Sequence, residues 1–238
     1  MLSGDWSEND LKSWNITMIQ MRLFHEDADL YDKVQIIITA ILRLTLLIAM
    51  IGGALNARYT VVFISLLTLM VTFIPDLLEK RYRIELPEEF EFVIVLFLYA
   101  SLFLGEVHGY YTRFWWWDTL LHAGSGLAMG FVGFLMVHIL YQRNQIRGHS
   151  FFIALFAFCF AMAIGSVWEI FEFGMDQVFG LDMQKSGLID TMWDLIVDAI
   201  GALVASAIGF FYIKGNVNSF TGRLVKKFMD ENPRLYQK

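Results

Sequence analysis

The apolar residues of this chain are gathered into long runs that short polar segments separate, a pattern that predicts membrane-spanning helices. A helix needs about 20 predominantly apolar residues to cross the hydrocarbon core of a bilayer. We place six such runs at residues 34–55, 60–78, 91–109, 118–141, 150–179 and 190–213. The third run is the weakest, since only residues 92–105 are free of charge, and it could instead be a buried or re-entrant segment. The predicted fold is an all-α, polytopic membrane helix bundle.

The segments outside the runs are short. The predicted organisation is an N-terminal interfacial tail over residues 1–33, a six-span domain over 34–213 and a basic C-terminal tail over 214–238. Apolar residues recur at roughly helical spacing within residues 6–24, as in a helix that lies on the membrane surface. The basic stretch 223–227 is expected to contact anionic lipid. Chemistry is therefore expected inside the membrane or at its surfaces.

The distribution of lysine and arginine predicts the orientation, because cytoplasmic loops carry an excess of both. Of the 18 basic residues, 14 lie in the two tails and in the loops after the second and fourth runs. The opposite loops hold Arg58, Arg113 and Lys185. Both termini are therefore expected to be cytoplasmic. The aromatic cluster within residues 110–117 then lies at the outer surface, as an interfacial anchor or as a platform for substrate.

Composition and charge narrow the class of protein. Hydrophobic residues make up 57% of the 238 residues and charged residues 18%, which is typical of a membrane protein. The net charge of -6, without a basic stripe outside the C-terminal tail, excludes nucleic acid and leaves membrane lipids as the expected partners. A single cysteine, Cys159, cannot form a disulfide within the chain. The oligomeric state stays open.

Ionisable side chains inside the predicted spans are the candidates for function. Each costs about 2.5–3.5 kcal/mol at a helix centre, so such residues are rarely retained without a role. They cluster on one face of each of the last three runs. The set is Asp118, His122, Glu169, Glu172, Asp176, Asp190, Asp194 and Asp198. Because the fifth run is antiparallel to its two neighbours, all three faces are expected in the outer half of the membrane, around one pocket.

A charge count favours a bound cation in that pocket. With Glu106 and Asp182, nine acids are expected in the outer half, against four cations, namely Arg43, Arg58, Arg113 and Lys185. Carboxylates in a low dielectric cannot all stay ionised, so protons or cations must neutralise the excess. We expect all eight residues of the set to bind a divalent metal, with Mg²⁺, Mn²⁺ or Ca²⁺ favoured over Zn²⁺ by the oxygen ligands. A protonated carboxylate network and a structural polar core are the alternatives.

Arg43 lies near the middle of the first run. A single arginine at this depth is either the counter-ion of Asp198 or Glu169, or a ligand for an anionic group of the substrate such as phosphate.

Three segments carry a resemblance to a known family. Residues 117–122 (WDTLLH), 167–173 (VWEIFEF) and 190–202 (DTMWDLIVDAIGA) resemble the YjdF-type family of bacterial inner-membrane proteins. That family is similar to the VanZ-like membrane proteins, which have amides where this chain has Glu172 and Asp198. The resemblance spans residues 118–209. It implies the inner membrane as location and supports the importance of the acidic positions, but it implies no activity.

Three functions are compatible with these features. The first is a metal-dependent hydrolase or transferase of lipid-linked phosphate or glycan substrates, in which His122 and Asp118 transfer protons and Arg43 binds phosphate. No serine or cysteine nucleophile with a neighbouring base is evident, which favours activated water. The second is a cation transporter, although the inner half offers only Asp76 and His138. The third is a non-catalytic lipid- or drug-binding resistance factor.

Overall fold

The computed structural model describes residues 30–143, 149–215 and 220–236, and within these ranges the chain is helical and forms no strand. This confirms the all-α prediction. The helices are α1 Leu30–Leu55, α2 Tyr59–Val71, α3 Ile74–Tyr82, α4 Glu88–Leu98, the π-helical segment Tyr99–Val107, α5 Tyr110–Arg113, α6 Trp117–Gln142, α7 Ser150–Phe179, α8 Leu188–Ile213, α9 Phe220–Glu231 and α10 Pro233–Tyr236.

Six helices of the described chain are long and apolar enough to cross a membrane. They are α1, α2 with α3 (Tyr59–Tyr82), α4 with the π-helical segment (Glu88–Val107), α6, α7 and α8. The third run is thus a helix of 20 residues. Large apolar side chains remain exposed on these helices, such as Leu44 at 55% and Ile170 at 68%. An apolar surface of this extent fits contact with lipid.

The chain divides into two compact units between His108 and Gly109. In the first unit the second span is interrupted at Thr72 and Phe73, two residues before the buried Pro75 of α3. Proline lacks the N–H that would continue the ladder of backbone hydrogen bonds, so the helix breaks there. Arg43 of α1 donates from Nη2 to the carbonyl oxygen of Thr72 at 2.6 Å. This bond ties α1 to the break.

The second unit is built on close packing of α6, α7 and α8. Glycines allow the backbones of α6 and α8 to touch. A Cβ atom on Gly126 would lie 2.5 Å from the carbonyl oxygen of Asp198, and one on Gly201 would lie 2.5 Å from that of Ala123. This contact sets the polar faces of α6 and α8 against each other.

The predicted tails are described only in part. The N-terminal interfacial helix over residues 6–24 lies outside the described residues. At the other end, α9 and α10 are helical, and α9 turns Val225 and Phe228 inward. The division into tails and a six-span domain stays a prediction.

Candidate metal centre

The ionisable side chains of the second unit meet at one end of the three-helix bundle. Asp118 and His122 occupy the first two turns of α6, and Asp194 lies in the second turn of α8. Glu169 lies about three turns before the end of the antiparallel α7. The antiparallel order of the helices therefore brings these segments together, as the sequence predicts.

Asp118, His122 and Asp194 form one group. Each offers a ligand atom, and the three atoms lie within 4.8 Å of one another. Two ligands of a single ion, bound at roughly 2.1–2.4 Å, can be separated by at most about 4.8 Å. The three atoms are therefore close enough to share one ion.

Glu169 lies beside this group. Its Oε1 is 3.9 Å from His122 Nε2, and the side chain is 4% exposed. By distance and angle, neither oxygen of Glu169 makes a hydrogen bond within the described residues, although the side chains of Thr191 and Gln184 lie near them, and Oδ2 of Asp194 also has no partner there. Because a buried polar atom without a partner is costly, these oxygens favour a cation or a proton as a partner.

Asp198 contacts the other nitrogen of the imidazole. Its Oδ2 is 3.4 Å from His122 Nδ1, and its Oδ1 accepts a hydrogen bond from Ser125 Oγ at 3.1 Å. A Cβ atom on Gly165 of α7 would overlap with Oδ2, so the glycine makes room for the carboxylate. His122 Nε2 is left facing Asp118 Oδ1 at 3.9 Å. Histidines that bind metals through one nitrogen commonly donate the other N–H to a carboxylate, as this geometry allows.

The remaining predicted ligands have other surroundings. Glu172 accepts a hydrogen bond from the indole N–H of Trp168 at 2.9 Å and interacts electrostatically with Glu169, Asp118 and His122. Asp190 interacts electrostatically with Asp118 and Asp194 but is not a member of the group. Asp176 accepts hydrogen bonds from two backbone amides of the loop after α7. The structure thus brings together three of the eight predicted ligands, with Glu169 and Asp198 adjacent to them.

The loop between α7 and α8, residues 180–187, contributes groups that the sequence did not single out. Gln184 Nε2 donates to Thr191 Oγ1 at 2.6 Å and to the carbonyl oxygen of Glu169 at 3.4 Å. In the sequence, this loop was marked only by the glycines at its two ends. Gly180 and Gly187 have φ of +65° and +64°, which glycine adopts without strain.

Arg43 lies in the first unit, where it has its own carboxylates. Its Nη2 is 3.3 Å from Asp76 Oδ2 and 3.2 Å from Glu91 Oε1, and its guanidinium lies 4.3 Å above the ring of Phe73. The counter-ions observed are therefore Asp76 and Glu91, whereas the sequence offered Asp198 or Glu169. A role for Arg43 in binding substrate stays a prediction.

Comparison with known proteins identifies the family. Residues 38–215 match the family described as "Predicted membrane protein (DUF2238)", and this match covers most of the chain. The chain belongs to this family. It is also 26% identical over 136 residues to an uncharacterized protein of Thermotoga maritima, covering 57% of this chain and 69% of that protein. No solved structure matches the chain. The family description is that of a membrane protein, with which the six long apolar helices agree, and it supplies no activity.

Proposed function

We propose that this membrane protein binds one divalent cation through Asp118, His122 Nε2 and Asp194, with Glu169 next to the ion. The observation that carries the proposal is the coincidence of three ligand atoms within 4.8 Å and buried carboxylate oxygens that lack hydrogen bonds. A divalent cation would compensate the charge of two carboxylates at once.

The donor set favours a hard cation. Carboxylate oxygens suit Mg²⁺, Mn²⁺ and Ca²⁺, whereas several imidazoles or thiolates would favour Zn²⁺. Because the set contains one imidazole, we take Mn²⁺ as the probe that accepts both kinds of donor. Asp198 would act on the ion only through His122, and Asp176 would act through the loop that it holds.

The chemistry that we propose for the site is hydrolysis or transfer of a lipid-linked phosphate or glycan. For a phosphate, a water oxygen forms a bond to phosphorus while the bond to the leaving oxygen breaks. Glu169 has a carboxylate oxygen 3.9 Å from the ligand His122 and is assigned to accept the proton from water. Asp118, whose side chain is 27% exposed, stays ionised as a ligand of the cation, so Glu169 is also assigned to pass the proton that it takes up to the leaving oxygen.

The location of the site belongs to the same proposal. With both termini cytoplasmic, the ends of α6, α7 and α8 that carry the site lie at the outer leaflet. We place the protein in the bacterial inner membrane, as the YjdF-type resemblance implies. A distant relationship to VanZ-like proteins, and with it a role in lipid or drug binding without turnover, is the non-catalytic alternative.

The packing beyond the site supports a resident ion over a transported one. A Cβ atom on Gly130 would lie 2.7 Å from Ala205 Cβ, and one on Gly209 would lie 2.5 Å from Phe134 Cδ2. With Gly126 and Gly201 in direct backbone contact, α6 and α8 touch from the site to the far end. A cation moving between α6 and α8 would have to separate these helices.

A titration with Mn²⁺ tests the cation site. The electron paramagnetic resonance signal of free Mn²⁺ falls as the ion binds purified protein. We expect one Mn²⁺ per chain, an affinity at least about tenfold weaker in Asp194→Asn, and no change in Asp230→Asn, which alters an exposed carboxylate of α9. Folded protein that binds neither Mn²⁺, Mg²⁺ nor Ca²⁺ would contradict the proposal.

An assay on lipid phosphates and lipid-linked glycans tests the chemistry. We expect product that disappears with chelator and in Glu169→Gln, although this variant still binds Mn²⁺. A protein that binds Mn²⁺ and lipid without forming product would be a binding factor. Cation flux into liposomes that depends on Asp194 would make it a transporter.

A further inference from the structure

The loop of residues 180–187 is fixed at several points close to the metal ligands. Asp176 accepts hydrogen bonds from the backbone N–H of Met183 at 2.8 Å and of Gln184 at 2.9 Å. The side-chain amide of Gln184 donates a hydrogen bond to Thr191. The backbone carbonyl oxygen of Gln184 accepts a hydrogen bond from the Gly187 N–H at 2.9 Å. The residue that follows Gln184 is therefore placed with little freedom in its backbone.

That residue is Lys185, and its ammonium group has two defined neighbours. Nζ lies 4.4 Å from the centre of the Tyr111 ring, and Lys185 interacts electrostatically with Asp118. Among the residues that the structure describes, no carboxylate lies within 4 Å of it. An exposed ammonium held on a ring face keeps its hydrogen-bond donors for another partner.

An anion that entered this end of the bundle would meet two positive groups, a divalent cation between Asp118 and Asp194 and the Lys185 ammonium. A phosphate ester, with up to two negative charges and several acceptor oxygens, can use both. A neutral glycan would leave the ammonium without a charged partner. The electrostatics of the site therefore favour phosphate within the substrate classes considered above.

The surface next to Lys185 is aromatic. Tyr110 packs against Phe114 and Trp117 with ring centres 5.0 and 4.9 Å apart, and Trp117 begins α6 immediately before Asp118. Trp115, between them in the chain, is 87% exposed. Rings of this kind suit the interface between headgroups and hydrocarbon. They would place a lipid phosphate, rather than free phosphate, beside the ligands.

We propose that Lys185 binds the phosphate group of a membrane amphiphile at this site, which makes a lipid phosphate the substrate. The inference rests on the proposed function, because the second positive group is the bound cation. It assigns a substrate class to the site and gives the loop of residues 180–187 a role in recognising the headgroup.

The experiment measures binding of dioctanoyl phosphatidic acid to Mn²⁺-loaded protein in detergent by calorimetry, with dioctanoylglycerol and inorganic phosphate as comparisons. The variant is Lys185→Gln. Lys214→Gln is the matched control, because Lys214 also lies over a ring, that of Phe210 at 4.7 Å, at the other end of α8. Mn²⁺ affinity is measured for each protein separately.

We expect Lys185→Gln to weaken binding of the phosphatidic acid about tenfold or more, as the loss of a charged hydrogen bond does, while Lys214→Gln leaves it unchanged. Dioctanoylglycerol should not bind, and inorganic phosphate should bind more weakly than the lipid. An unchanged affinity in Lys185→Gln, or equal affinities for free and lipid phosphate, would overturn the inference. If Mn²⁺ binds normally in that case, the cation site stands and only the inference fails. If Mn²⁺ does not bind to the wild-type protein, both fail.

Discussion

At the scale of single residues, the orientation of His122 decides what the candidate centre can hold. With Nδ1 directed at Asp198, the lone pair of Nε2 is free to point at the space that Asp118 and Glu169 share. Asp198 in turn is fixed by Ser125 and is 1% exposed. A carboxylate held in this way strengthens the imidazole as a ligand without touching the ion.

Replacing Asp198 by asparagine should therefore weaken Mn²⁺ binding by about 10- to 100-fold, although no ligand is removed. The amide can present N–H instead of oxygen to Nδ1 and so favour the wrong tautomer. Paramagnetic resonance titration measures the change. Ser206→Ala is the control, because Ser206 is buried on the same helix and donates only to the Ala202 carbonyl oxygen. Wild-type affinity in Asp198→Asn would show that His122 is not oriented by this carboxylate.

The sequence predicted which residues gather, but not the role of each. Helical spacing alone placed the acids on three facing sides. It could not distinguish Asp176 from Asp194, because their roles depend on what lies opposite, namely two loop amides for one and an imidazole and carboxylates for the other. The partners of Arg43 could not be predicted from the sequence either. One of them is the carbonyl oxygen of Thr72 at the helix break, and residue spacing does not reveal such a break.

At the scale of helices, the contact between α6 and α8 at Gly126 positions the polar faces. A Cβ atom there would meet the backbone of Asp198, which cannot move away as a flexible side chain could. Gly124, two residues earlier, has nothing within 4 Å of its Cβ position. Gly126 and Gly124 therefore provide a test position and a matched control position on the same helix.

We expect Gly126→Ala to cost about 1–3 kcal/mol of stability by overpacking, and to weaken Mn²⁺ binding because α8 is displaced. Gly124→Ala should leave both quantities unchanged or slightly improved, since alanine favours the helix. Thermal unfolding in detergent and Mn²⁺ titration measure them. Equal melting temperatures for the two variants would contradict the packing that we describe.

The contacts of Arg43 at the interrupted second span predict the stability of an Arg43 variant. Arg43 compensates Asp76 and Glu91 and binds the Thr72 carbonyl oxygen, so Arg43→Gln should cost about 3–5 kcal/mol. Adding Asp76→Asn and Glu91→Gln should restore part of the loss in thermal unfolding experiments. If Arg43→Gln is instead as stable as wild type but no longer binds phosphatidic acid, Arg43 is a ligand for substrate.

At the scale of the whole molecule, the apolar runs predicted the six spans because burial in lipid demands long apolar helices. The fifth span, Ser150–Phe179, has the same two ends as the predicted run. At its C-terminal end, Gly180 in a left-handed conformation terminates α7. The interruption at Thr72 and the π-helical segment Tyr99–Val107 were not predicted, since hydropathy does not report backbone hydrogen bonding.

The orientation of the chain is a prediction at this scale. In a Cys159→Ser background, a membrane-impermeant maleimide should label Ser186→Cys in intact cells and Asp230→Cys only after lysis, because the Lys and Arg distribution places the C-terminus in the cytoplasm. Labelling of Asp230→Cys in intact cells would place the candidate centre on the cytoplasmic side.

Anomalous diffraction would show whether Asp118, His122 and Asp194 surround one divalent cation. Crystals of the protein grown with Mn²⁺ would be measured above the manganese absorption edge. We expect a single strong anomalous peak between these three side chains, and we expect the peak to disappear in Asp194→Asn. Ordered side chains with no peak between them at saturating Mn²⁺, or with Glu169 and Asp194 bonded to protein groups instead, would contradict the proposed cation site.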